Sequence, residues 1–449
     1  MNMTLTYKQP YDLADALCKE LRQRKPLCPP LEQVATIFET LYFASLRTEE
    51  SQSVFCHIIY LDPANPDPEP PERVVNDRWS FVPFSEPILF SVSDLVKIAR
   101  ASDPRTSSFV VFPNQSGQLH MWGLVDQGNR YHDFLNYDSE SGPERPGLFQ
   151  ASILGVGHLV AYLGYERIAE LRVGTLINRT SDVLRKGPIR LQLQPAISEY
   201  VEAVKNALPD GMFEKRSHWV SSLEDNWITV LCRLLLRARN YRHGGAFLIT
   251  PDLSGMGLNL KYQIDYHRLT TALQRQSLLQ IRSTDADDQI FEDHVSQYGP
   301  PIPIDIYLRK EVDEADLLDS RSEIDGSIWF VSLLSRVDGL VLLRPDLSVR
   351  GFGVEITFAD ELDSIYIASG PLGSPKGLRR VDYHHYGTRH RSMMRYCAHT
   401  DDSIGFVVSQ DGDVRAITKL GNKVVMWENI RLQLDDFVIS RKDKRSGSR

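Results

Sequence analysis

Gly387-Thr388-Arg389-His390-Arg391-Ser392-Met393-Met394-Arg395-Tyr396 is the stretch on which the reading of this chain turns. A Gly-Thr turn opens directly into a helix, so unpaired backbone N–H groups, a hydroxyl and cationic heads gather at one helix N-terminus. Such an end carries a partial positive charge and free donors, which suits phosphate. Arginine adds planar, two-pronged recognition of phosphate oxygens. Upstream, Arg336-Val337-Asp338-Gly339-Leu340-Val341-Leu342-Leu343 sets a carboxylate at the start of an apolar strand. Polyphosphate recognition combined with a positioned carboxylate points to nucleotidyl transfer. Each half also has an ordinary reading. Asp-Gly is a frequent turn pair in which Gly339 supplies positive φ, and a basic helix start is common on any surface.

The two motifs together resemble the diadenylate cyclases, which join two ATP molecules into cyclic di-AMP. That family is marked by Asp-Gly-Ala and Gly-Thr-Arg-His-Arg, standing here as Asp338-Gly339-Leu340 and Gly387-Thr388-Arg389-His390-Arg391. The likeness continues through Ile404-Gly405-Phe406-Val407-Val408-Ser409-Gln410-Asp411-Gly412-Asp413-Val414-Arg415 and covers residues 320–420. The sequence departs from the family at three places: Leu340 replaces the usual Ala, Val337 stands where one branch has a metal-binding His, and Gln410 replaces a common Glu.

The resemblance implies a set of roles. Asp338, Arg389 and His390 would be catalytic. Gly339, Leu340, Gly387, Thr388, Arg389, His390, Arg391 and Ser409 would bind nucleotide, and Asp338 with Asp411 would hold a divalent cation, Mn2+ or Mg2+. A carboxylate suits both the cation and the ribose 3′-hydroxyl. Thr388 is also a candidate N-cap, and Asp411-Gly412 is equally a type I′ turn signal. Arg391 is read either as a second phosphate ligand or as a partner of an acidic residue in the sheet. Arg395 shares its helix face and is read as a salt-bridging residue. Glu355, between Val354 and Ile356, reads as solvent-facing. His384 and His385 lack further ligands at zinc spacing and read as surface residues. No GxGxxG, P-loop or Gly-x-Ser-x-Gly pattern occurs.

Composition frames these motifs. A chain of 449 residues, 42% hydrophobic and 24% charged, has room for two or three globular domains. A net charge of −8 argues against general affinity for nucleic acid; only the tail at 441–449 is strongly basic, and it reads as disordered. Five scattered cysteines without a CxxC pair predict reduced thiols and a cytoplasmic location. Neither a signal-peptide pattern nor the ~20 apolar residues of a membrane span is seen.

Working outward, residues 1–180 predict an α+β domain. It has helices at 11–24 and 30–46, strands at 53–61, 107–112, 118–125 and 130–135, and a hairpin turning at Gly164-Tyr165-Glu166. Five prolines in residues 62–72 mark a loop. This region resembles, less specifically, the DACNV-like sensor regions found ahead of diadenylate cyclase domains. Residues 181–219 read as a helical connector. Residues 220–440 read as the catalytic domain, an α/β fold with a mixed central sheet flanked by helices. Its expected elements are helices at 227–239, 266–281 and 314–337, an irregular span at 285–316, and hairpins at 340–356 and 404–417. The implied assembly is a homodimer or larger homo-oligomer, because each 3′-hydroxyl must reach the other nucleotide's α-phosphorus; the ligand of the first domain is unknown. Two other readings stay open: a nucleotide-binding sensor without catalysis, and an N-terminal interaction module dimerised by its C-terminal domain.

Overall fold

The computed structural model describes residues 7–24, 28–67, 79–103, 106–127, 146–164, 166–177, 182–241, 243–252, 254–290, 295–299, 302–410 and 412–432. The strand expected at 130–135, the proline loop from 68 onward, Asp411 and the basic tail lie outside the described residues. The chain divides into two compact units, the first within Met1–Arg179 and the second spanning Thr180–Leu432. Both combine helices with mixed sheets, so the fold class is α/β.

In the first unit, helices α1 (Pro10–Arg24) and α2 (Leu31–Ser45) repeat apolar residues every three to four positions. They bury that stripe on one face of an eight-stranded sheet. Its strands are β3 (Cys56–Tyr60), β4 (Ser80–Leu89), β5 (Ser107–Pro113), β6 (Leu119–Asp126), β7 (Gln150–Gly155), β8 (His158–Leu163), β9 (Glu166–Arg172) and β10 (Thr175–Ile177), in the order β10-β9-β8-β7-β3-β5-β6-β4. A short ribbon of β1 (Thr48–Glu49) and β2 (Gln52–Ser53) and helix α3 (Val92–Ile98) complete the unit. Among the described residues of this unit, only β3 and β5 pair in parallel. The β8–β9 hairpin turns where the sequence placed it, with Leu163 opposite Glu166. Strand β4 escaped the sequence reading because Pro83 and Pro87 interrupt it. It survives as an edge strand whose register shifts between Pro83 and Ile88.

The second unit is built on a nine-stranded sheet. Its strands are β11 (Gly245–Ile249), β12 (Leu258–Tyr266), β13 (Leu340–Leu343), β14 (Val349–Ile356), β15 (Ile365–Ala368), β16 (Leu378–Val381), β17 (Ile404–Val408), β18 (Val414–Leu420) and β19 (Lys423–Trp427). Their order is β12-β14-β13-β11-β17-β18-β19-β15-β16. β11 pairs in parallel with β13 and β15 with β19; the remaining pairs are antiparallel. The central strands β11, β13 and β17 are buried at every residue, as continuous apolar runs require when both sheet faces are covered. One face carries a core with Met393, Met394 and Tyr396 of the helix at Thr388–His399.

A layer of long helices also belongs to this unit: α4 (Pro188–Asn206), α5 (Trp219–Asn240), α6 (Arg268–Asp288) and α7 (Ile304–Leu334), followed by α8 (Thr388–His399) on the sheet. The expected connector at 181–219 is corrected here, since α4 packs on α5 and α6 as part of the unit. It begins at Pro188, where a helix tolerates proline, and runs through Pro195. Likewise α7 starts ten residues earlier than periodicity predicted, at Ile304 immediately after Pro303. No disulfide links the five cysteines. Among the described residues no helix is long and apolar enough to cross a membrane.

Candidate active site

The two motifs meet at a cavity of about 860 Å³, within the size range of ligand pockets of roughly 300–1,000 Å³. Its walls come from the starts of β11 and β13, the ends of β14 and β17 and the first two turns of α8. Two glycines make the approach of these elements possible. Gly339 adopts φ +109°, and a Cβ there would lie 2.5 Å from the carbonyl carbon of Gly353; β13 can therefore leave α7 only through glycine. Gly244 adopts φ +74°, and a Cβ on it would sit 2.8 Å from Nη1 of Arg389. The Gly244-Gly245 pair, which reads in the sequence as a plain turn, thus holds the ledge over which Arg389 lies.

Gly387 occupies the N-cap of α8 in extended conformation, and no side chain caps the helix. The first turn holds no acidic residue, so its free N–H groups and partial charge are left to the cavity. Gly387, Thr388, Arg389, His390, Ser392, Met393 and Arg395 all line it. Thr388 is therefore the first helical residue rather than the cap. Arg395, expected to bridge a carboxylate, instead donates to the Ser392 hydroxyl at 3.2 Å and lines the cavity. The correction for Arg391 runs the other way. It does not line the cavity, and its guanidinium carbon lies 6.0 Å from the ring centroid of Tyr383. Helical spacing puts 391 on the same face as 388, 392 and 395, so the exchange lies in side-chain direction: the Arg391 guanidinium turns to Tyr383 instead of the cavity.

His390 is partly buried. Nη1 of Arg415, from β18, donates to its Nε2 at 2.9 Å. Burial, then Arg415 and Arg389, push the imidazole pKa down to about 4, against a smaller opposing pull from Asp413. Ser409 and Gln410, at the end of β17, close another wall. The Ser409 hydroxyl accepts the Asp413 N–H at 3.0 Å, which ties the turn between β17 and β18.

Gly339 and Leu340 line the cavity, with Leu340 nearly buried in the sheet core. Asp338 is exposed one residue before the wall, where its charge is felt by Lys261. Lys261 and Glu355 pair at 2.6 Å, and Asn259 donates to Glu355 at 3.3 Å. Glu355 is indeed exposed, but it also lines the cavity. Sequence reasoning missed this cluster, because only the β12–β14 register, with Asn259 opposite Glu355, brings its members together. His384 and His385 are exposed near Glu361 and Asp382.

Among the described residues no three His, Cys, Asp or Glu side chains converge as a preformed metal centre. A hard divalent cation that keeps its waters is ordinarily held by one or two carboxylates together with substrate phosphates. An exposed Asp338 beside a cavity large enough for a whole nucleotide fits that mode; Asp411, the other expected ligand, lies outside the described residues. Comparison with curated proteins finds no match. A family model described as a probable sensor domain, DACNV, matches residues 23–126, from the end of α1 to the last residue of β6 in the first unit.

Proposed function

We propose that the second unit is a diadenylate cyclase and that the first is its sensor domain. The observation that carries this reading is the uncapped N-terminus of α8, with Arg389 and His390, lining the same cavity as the glycine that follows Asp338. DACNV domains occur in proteins associated with diadenylate cyclases, and the match to residues 23–126 supports the pairing.

In this reading the triphosphate of ATP lies against the first turn of α8. Backbone N–H groups, the Thr388 hydroxyl and Arg389 hold its oxygens, and the apolar wall of Leu340, Val354 and Ile356 takes the base. Asp338 orients the ribose 3′-hydroxyl. That oxygen attacks the α-phosphorus of the nucleotide in a second copy of the chain, its proton is lost, and pyrophosphate leaves; the reciprocal attack closes the ring. Arg389 stabilises the charge that develops on the transferring group, which is where most catalysis of phosphoryl transfer resides. Asp338 would hold a divalent cation, which when bound would supply neutralisation of phosphate charge. Two cavities must face each other, so the active form is a homodimer or an assembly of dimers.

A second reading has its own observation. Leu340 lines the cavity where the family usually has Ala, and the bulkier side chain favours a site that binds nucleotide without turning it over. Incubating purified protein with ATP and Mn2+ or Mg2+, and resolving products by mass, separates the two. Cyclic di-AMP supports the cyclase; bound ATP with no product under either metal supports the sensor.

A further inference from the structure

His390 lines the cavity, and its ring is gripped from outside its own helix. Arg415 Nη1 lies 2.9 Å from Nε2. A guanidinium has donors, no acceptor and a proton it never loses in a protein. Nε2 therefore accepts, and the proton of the neutral ring sits on Nδ1. Arg415 is itself anchored, by Asp413 at 3.5 Å and by Glu428 at 3.8 Å. The other groups facing the ring are Arg389 from α8, Asp413 from the turn before β18, and Tyr386, whose ring centroid is 5.9 Å away. Two guanidinium groups and partial burial oppose an imidazolium here, while Asp413 alone favours it.

We infer that Arg415 is a positioning residue that locks His390 in the neutral, Nδ1-protonated tautomer, so that the ring presents a hydrogen-bond donor and no charge to a phosphoryl oxygen in the cavity. The inference rests on reading the cavity as a phosphate site. It leaves the positive charge of that site with Arg389 and Arg395, which line it. It also makes the ring indifferent to pH across the neutral range. The cationic residue that does this lies on a strand, β18, 25 residues further along the chain.

The test is the nitrogen NMR spectrum of the full-length protein labelled with 15N-histidine, with His390→Gln identifying the ring. At pH 7 the expected ring is neutral with Nδ1 protonated, and it remains neutral on lowering the pH to 5. In Arg415→Ala its pKa should rise toward the ordinary value of about 6.5 without reaching it, because burial and Arg389 still hold it down, and the Nδ1–H preference should be lost. Arg415→Gln keeps a neutral donor toward Nε2 and should retain the tautomer, which covers the case in which the alanine variant fails to fold. A wild-type ring that is charged or Nε2-protonated at pH 7 overturns the inference, as does a ring unchanged in Arg415→Ala. ATP added to the wild type distinguishes the two levels of the argument. A locked tautomer whose signals ATP does not move upholds the role of Arg415 and overturns the phosphate reading.

Discussion

At the scale of single residues, the contribution of a side chain depends on which neighbours the fold gives it. Gly-Thr-Arg-His-Arg announces a phosphate site, yet its five members end in different places. Arg389 lies over Gly244 in the cavity wall, Arg391 turns to Tyr383, and His390 is held by Arg415. Motif spacing identifies the helix start but not the partner from another strand, so the neutrality of His390 was not legible in the sequence. Arg389→Lys, which keeps the charge and loses the planar fork, should lower kcat/KM by about 100-fold; steady-state kinetics with ATP would read it. His390 also leaves a thermodynamic signature. Its folded pKa of about 4 lies below the unfolded value of about 6.5. Above pH 6.5 both states are neutral and the group contributes nothing. Between about 6.5 and 4 the unfolded chain takes up a proton that the folded one refuses, so stability falls, by at most about 1.4 kcal/mol per pH unit. Urea unfolding at pH 7 and pH 5 should therefore show a smaller loss for His390→Gln than for the wild type.

At the scale of elements, periodicity and turn chemistry locate most of the scaffold. The hairpins at β8–β9, β13–β14 and β17–β18 fall where Gly, Pro and Asp interrupt apolar runs. What escapes is whatever depends on pairing. β4 carries prolines that only an edge position tolerates, and the Asn259, Lys261 and Glu355 cluster exists only through the β12–β14 register. The seating of α8 is a further case. A Cβ on Gly405 would collide with Met393, so the helix rests on β17 only because that residue is glycine. Gly405→Ala should cost about 1–3 kcal/mol by overpacking. Met393→Ala in the same chain should recover part of the loss, because the two positions touch. Denaturant midpoints of Gly405→Ala, Met393→Ala and the double variant would decide it. If the two single costs simply add in the double variant, that contact is not what positions the helix.

At the scale of the whole molecule, the change of sequence texture near residue 180 coincides with the division between Met1–Arg179 and Thr180–Leu432. The first unit contains the match to a probable sensor domain, and the second contains the candidate site. Nothing in the first unit's alternating strands told what it senses, because a buried apolar stripe reports a core and not a ligand. The proposed cyclisation of two nucleotides across facing cavities would carry a consequence for the assembly. Specific activity should fall as protein is diluted below its dimer dissociation constant, and analytical ultracentrifugation at the same concentrations should show the monomer appearing. Activity constant on dilution into the monomeric range would contradict paired sites. The most direct test of the account remains the product formed from ATP by the full-length chain beside its Asp338→Ala variant, with circular dichroism to confirm equal folding. The prediction is cyclic di-AMP with two pyrophosphates per product from the wild type and none from the variant; equal product from both would contradict it.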